Sequence, residues 1–352
     1  MLSGLNIALC VLATAPPEMF SSFSPSAEAH RLVIHHHLNL TVSPVKHTAS
    51  SRPRNVVFLK LHKISGSTAA YDIYTALNQT RQPFHSMHKT EYTRAAYVAN
   101  GCGSQGVTCA FLQHMNLGMY AARGSGLLGS LLGSRAGFGD ATVTTTILRD
   151  PVSRTLSGYF YGHCGPVDDA ETVKATLASA TARACAYADE YERTFRTGGL
   201  PALTGIIEQR EYWYPALASE LQLPLASFET SLPLMVKSLS PAAEGVRQQL
   251  LASAPFREWL RKETPAEFEW YDAAVERWAA WKTRLGRELE SDKDTLLGLQ
   301  AAYRERVGLD VTKPFTCTRK GSAESAAPLP ALDWEGSGLG QGGIGRGFAY
   351  CV

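Results

Sequence analysis

Asn55-Val56-Val57-Phe58-Leu59-Lys60-Leu61-His62-Lys63-Ile64-Ser65-Gly66-Ser67-Thr68 reads as a buried strand, a tight turn and a helix start. Residues 55–61 form a short apolar, β-branched run, the pattern of a strand covered on both faces. Ser65-Gly66-Ser67 is a turn, and Thr68 to Leu77 reads as a helix. Such a junction suits an anion. The first N–H groups of a helix have no intrahelical partner, and the helix dipole puts partial positive charge on them. Gly66 permits close backbone approach, Ser65, Ser67 and Thr68 add hydroxyl donors, and Lys63 supplies a full charge. The spacing is not that of GxxxxGK[ST]. A Ser/Gly turn after a strand is common, so this segment alone indicates only an anion-binding helix start.

Working outward, Thr108 to Gln113 reads as a second strand and Ala141 to Leu148 as a third, with a Gly/Leu-rich loop over Ser125 to Gly139 between them. Arg149 then stands at a strand's carboxyl end, where open α/β sheets bind ligands. Asp150 and Pro151 fit the cap and first position of a following helix. Ser153 and Ser157, four apart, share a helix face. A strand-end Arg with a Ser one or two turns later can clamp a second phosphate. The competing reading pairs Arg149 with Asp150 and leaves both serines on a helix surface.

Strands alternating with helices predict an α/β fold with a central, mostly parallel sheet flanked by helices. The second half reads as mainly helical. Glu171 to Arg196 reads as one long helix and Pro265 to Leu285 as another. In the latter, Phe268, Trp270, Tyr271, Val275, Trp278 and Trp281 recur at the spacing of a core face.

The chain has 352 residues with 45% hydrophobic content, enough for one large domain or two small ones. Its formal net charge is +2, so any anion site is local and no nucleic-acid partner is expected. Leu5 to Ala15 is an apolar run ending in Ala13-Thr14-Ala15, so residues 1–15 read as a signal peptide or weak signal-anchor. Residues 16–52 read as a stem, including a solvated His35-His36-His37; 53–318 form the main domain, and 319–352 a low-complexity tail. Asn39-Leu40-Thr41 and Asn78-Gln79-Thr80 are glycosylation sequons. The cysteines make no CxxC pair, and no Asp/Glu/His cluster suggests a divalent ion, so no metal is expected. Cys102 with Cys109, Cys164 with Cys185 and Cys317 with Cys351 pair by proximity; buried reduced thiols are the alternative.

Strand-Leu59-Lys60-x-His62-Lys63-x-x-x-Ser67-Thr68-helix, followed by Ile147-Leu148-Arg149-Asp150-Pro151-Val152-Ser153-Arg154, resembles the Golgi carbohydrate sulfotransferases, most of all the galactose 3-O-sulfotransferase group. Gln113-His114-Met115-Asn116, the stretch Phe228 to Lys237, and Glu269-Trp270-Tyr271-Asp272 are similar to further segments of that group. The resemblance spans roughly residues 53–312. It implies a P-loop-like three-layer fold and transfer of a sulfuryl group from 3′-phosphoadenylyl sulfate (PAPS), without a metal, to a carbohydrate hydroxyl. The 3-OH of galactose on a glycolipid or glycoprotein is the expected acceptor, and the Golgi membrane or lumen the expected location. By the same resemblance Lys63, Ser65, Gly66, Ser67 and Thr68 hold the 5′-phosphosulfate, and Arg149 and Ser157 the 3′-phosphate. His114 is then the general base, with His62 its main competitor and His88 and His163 behind. The chain departs from the pattern at Ile64, Asn116 and Leu117. Two other readings stand beside this one: a nucleotide-dependent phosphotransferase using Asp140 or Asp150 for Mg²⁺, and a non-catalytic glycan-binding protein on the same fold.

Overall fold

The computed structural model describes residues 55–64, 66–80, 83–87, 94–102, 107–112, 142–231 and 239–306. The expected leader, stem and tail lie outside them, as does the Ser125 to Gly139 loop. Five described strands form one sheet: β1 (Asn55–Phe58), β2 (Phe84–Ser86), β3 (Thr108–Phe111), β4 (Thr142–Leu148) and β5 (Leu203–Ile206), in the order β2-β3-β1-β4-β5. Every pairing is parallel, for example Val57 with Phe111 on one side of β1 and with Thr144 on the other. The helix α1 (Gly66–Gln79) follows β1, and α2 (Arg94–Ala99) links β2 to β3. The protein is thus an α/β fold with a parallel central sheet flanked by helices and a helical C-terminal half.

Central position explains β1: Val56, Val57 and Phe58 are wholly buried, as a strand covered on both faces requires. β4 carries three threonines in a row, and two of them are buried. Thr145 Oγ1 donates to Leu203 O at 2.9 Å and Thr146 Oγ1 to Leu59 O at 2.8 Å, so their hydroxyls tie neighbouring strands together. Because β1 and β4 are neighbours, the loop after β1 and the residues after β4 emerge side by side at the sheet's carboxyl edge.

After β4 comes α3 (Pro151–Gly162), started as expected by Asp150, whose side chain accepts from Ser153 N at 3.0 Å. The long helix expected over Glu171 to Arg196 is instead three: α4 (Ala170–Leu177), α5 (Ala180–Cys185) and α6 (Glu190–Gly198). Ser179 caps α5 through Ala182 N, a competition that Ser wins in short helices. Tyr187 turns the chain with a φ of 59°, and the turn passes so close to α3 that a Cβ on Gly158 would meet Ala186 O at 2.2 Å. A Cys164–Cys185 disulfide closes this unit, and Cys102–Cys109 closes a second loop. These are two of the pairs that proximity suggested; Cys317 and Cys351 lie outside the described residues.

β2 and β5 were not anticipated. They are three and four residues long, too short to show a period. In β5, Gly205 makes room for Trp213, whose Cδ1 would sit 2.3 Å from an added Cβ. Trp213 belongs to α7 (Arg210–Leu221), and α8 (Pro241–Ala252) and α9 (Ala254–Glu263) follow. The last helix, α10 (Pro265–Arg306), runs beyond the expected Leu285 and bends at Gly286, where φ is 54°. Its Phe268, Trp270, Trp278 and Trp281 are buried, as their spacing predicted. Among the described residues no helix is long and apolar enough to cross a membrane.

One buried acid makes stability sensitive to pH. Asp72 of α1 accepts a 2.5 Å hydrogen bond from the Tyr214 hydroxyl of α7. Burial pushes Asp72 up to about 7, against the Tyr214 hydrogen bond and the Arg210 charge. A carboxyl with a raised folded pKa holds its proton better folded than unfolded. Its contribution is therefore complete at low pH and is lost as pH rises from about 4 through 7. Urea melts at pH 5 and pH 8 should show wild type losing on the order of 2 kcal/mol more than Asp72→Asn. Equal losses would refute the assignment.

Candidate functional site

The two segments expected to bind anions meet at the carboxyl edge of β1 and β4. Arg149 Nη1 donates to the carbonyl of Lys63 at 3.4 Å. Lys63 itself has a φ of 58°, which turns the loop sharply before α1. Its Nζ lies 5.0 Å above the ring of Tyr161, on α3. Lys60, just upstream, is buried, and burial lowers it to about 8.

Arg149 is fixed by its backbone. Its N–H donates to the Tyr191 hydroxyl at 2.9 Å, and that hydroxyl donates back to the Arg149 carbonyl at 2.8 Å. Burial pushes the Tyr191 hydroxyl far up, so it stays protonated and keeps donating. The guanidinium is left for other work. Burial pulls Arg149 down from the ordinary range, against the Glu208 charge, and among the described residues it forms no ion pair. The Asp150 carboxylate, the partner the competing reading required, instead caps α3 and pairs with Arg257 at 2.8 Å. A partly desolvated cation at a strand end, without an ion-pair partner among the described residues, suits an incoming anion. Ser157 is buried on α3 two turns further on.

His62 is held by two bonds to one carboxylate. Its backbone N–H donates to Glu190 Oε2 at 2.9 Å and its Nδ1 meets Glu190 Oε1 at 2.6 Å. The ring stacks on Tyr187 with centroids 4.1 Å apart. Burial pushes the Glu190 carboxyl up, but the His62 hydrogen bond and the Arg154 charge outweigh it and hold it below its usual range. Glu190 also accepts from Arg154 Nη1 at 3.2 Å, and Arg154 Nη2 donates to Glu267 of α10. Arg154 is wholly buried with its guanidinium 3.9 Å over the Tyr191 ring. The site loop is therefore tied through His62, Glu190 and Arg154 to the helical half.

Arg154, Tyr191 and Glu190 were missed from the sequence. Glu190 and Tyr191 fall inside the helix expected over Glu171 to Arg196, and nothing local shows that α6 packs behind the strand ends. The Glu269 to Asp272 stretch proves architectural: Trp270 Nε1 donates to Glu192 at 2.9 Å, and Asp272 pairs with Arg261 at 2.9 Å. His163 ends α3 in a left-handed conformation and is exposed. Ser65, His88, Asp140 and the Gln113 to Asn116 stretch with His114 lie outside the described residues, as does the Leu232 to Lys237 part of the similar segment. Gly66, Ser67 and Thr68 begin α1, as an anion-binding helix start requires. No family model and no curated protein matches the chain.

Proposed function

We propose that the protein is a PAPS-dependent sulfotransferase acting on a carbohydrate hydroxyl, with galactose of a glycolipid or glycoprotein as the first acceptor to test. The observation that carries the reading is the Lys63–Arg149 contact: the loop that starts α1 and a strand-end guanidinium that makes no ion pair among the described residues lie together at one sheet edge. Two anion sites side by side suit a donor with phosphate at both the 5′ and 3′ positions. In this reading the acceptor oxygen bonds to sulfur as the bond from sulfur to the 5′-phosphate oxygen breaks. The acceptor's proton goes to a base, and the charge growing on the leaving phosphate falls to Lys63 and the α1 N–H groups. Asp150 is committed to Ser153 N and Arg257, which disfavours the phosphotransferase use of that residue. The disulfides suit an oxidising compartment, in line with the Golgi lumen or membrane.

Titration with adenosine 3′,5′-bisphosphate and with plain AMP tests the donor half. The bisphosphate should bind more tightly; equal affinities would sink the 3′-phosphate site. Labelled PAPS offered to a panel of glycolipids and oligosaccharides tests the acceptor half, and donor binding without transfer to any glycan would favour the non-catalytic reading.

Two histidines compete as base. His114 has the family's position, whereas His62 has a visible acid partner: Glu190 fixes its Nδ1, the arrangement that orients an imidazole for proton transfer. His114→Ala should leave bisphosphate affinity intact and lower turnover about 10²–10⁴-fold. Full activity in His114→Ala, with the same loss in His62→Ala, would move the role to His62.

A further inference from the structure

A cavity of about 450 Å³ lies between α7 and the second half of α10, lined by Arg210, Tyr212, Ser231, Lys293, Gln300 and Arg304 among others. Two of its lining arginines each keep a buried nitrogen, Arg210 Nη1 and Arg304 Nε, without a well-formed hydrogen bond. Orphaned buried donors are rare and costly, and two on arginines that line one cavity point to a missing acceptor. Neither arginine forms an ion pair with a described acid. Lys293 is balanced by Glu290 at 2.9 Å and Asp294 at 3.1 Å. The nearby buried Asp72 is hydrogen-bonded by Tyr214 and Ser231 and feels the Arg210 charge without forming an ion pair with it, and Glu211 is the acid on the lining itself.

Arg210 is also placed against the fold's interest. It is the first residue of α7, where the helix dipole repels a cation. Size narrows the ligand. The volume is within the range of small-molecule sites and well above the roughly 30 Å³ share of one water, so a bare ion would leave most of it empty. Leu296 and the exposed Leu297 give an organic group an apolar wall.

We propose that this cavity binds a sulfate or phosphate monoester, its oxoanion held by Arg210 and Arg304 and its organic part against Leu296 and Leu297. A sulfated sugar and a nucleoside monophosphate share this chemistry. Isothermal titration of the whole protein with galactose 6-sulfate, AMP and inorganic sulfate separates them. One ester should bind saturably, and Arg210→Gln and Arg304→Gln should each weaken it about tenfold or more. The sugar sulfate binding better assigns a saccharide, and AMP binding better assigns a nucleotide. The titrations are repeated in Lys63→Ala, which weakens nucleotide binding at the donor site, and the ester binding that remains there and is lost with Arg210→Gln or Arg304→Gln belongs to this cavity, so the site stands or falls apart from the donor reading. Saturable binding by no ester, binding by inorganic sulfate alone, or affinity untouched in both Gln variants overturns the proposal. Circular dichroism checks the fold. Should Arg210→Gln unfold, Arg304→Gln decides, Arg304 lying in the last turn of α10.

Discussion

Arg154→Leu is expected to destabilise the folded domain by about 3–5 kcal/mol, measured by urea or thermal denaturation. The guanidinium has no exposure and lies between Glu190, Glu267 and the Tyr191 ring. Removing it takes the buried cation from two buried carboxyls, leaving Glu190 only His62 and Glu267 only the Glu192 N–H, and breaking a buried pair costs far more than the pair contributes. Against a typical total of about 5–15 kcal/mol, that is enough to leave much of the protein unfolded at 37 °C. Neutralising the acids as well, with Glu190→Gln and Glu267→Gln, should recover a large part of the loss, because charge balance is the cause. A loss below about 1 kcal/mol in Arg154→Leu would mean that water reaches the cluster and that it does not hold the site loop.

Arg149→Ala and Lys63→Ala should each lower PAPS-dependent transfer by at least about 10²-fold, the scale of losing one charge-stabilising group in an active site. Both side chains are only partly buried, so the fold should survive. The two should differ in binding. Arg149→Ala should weaken adenosine 3′,5′-bisphosphate and leave AMP nearly unchanged, whereas Lys63→Ala should affect both. Arg149→Lys keeps the charge but loses the guanidinium fork, so its activity should fall between wild type and Arg149→Ala. Wild-type transfer in either alanine variant would end the donor-site reading.

Much of the site was legible because its signals are local. A β-branched run before Lys63 and Gly66, and Asp150-Pro151 after Arg149, carry strand, turn and cap chemistry within a few residues. The aromatic face of α10 was legible for the same reason. The breaks in Glu171 to Arg196 were not. Helical periodicity there is interrupted by Ser179 and by the close passage of residue 186 over Gly158, and the second is a contact between distant parts of the chain.

By itself, then, the sequence determined the α/β class, the helix starts after β1 and β4, and the residue types offered at each. Only the tertiary structure decided what those residues face. Strand order β2-β3-β1-β4-β5 sets Lys63 beside Arg149, and helix packing sets Glu190 under His62 and Arg154 between two acids. The same packing brings Arg210 and Arg304 to one cavity. The physical reason is range: caps, turns and periodicity act over about one helical turn, whereas these juxtapositions follow from burying apolar faces of elements far apart in the chain.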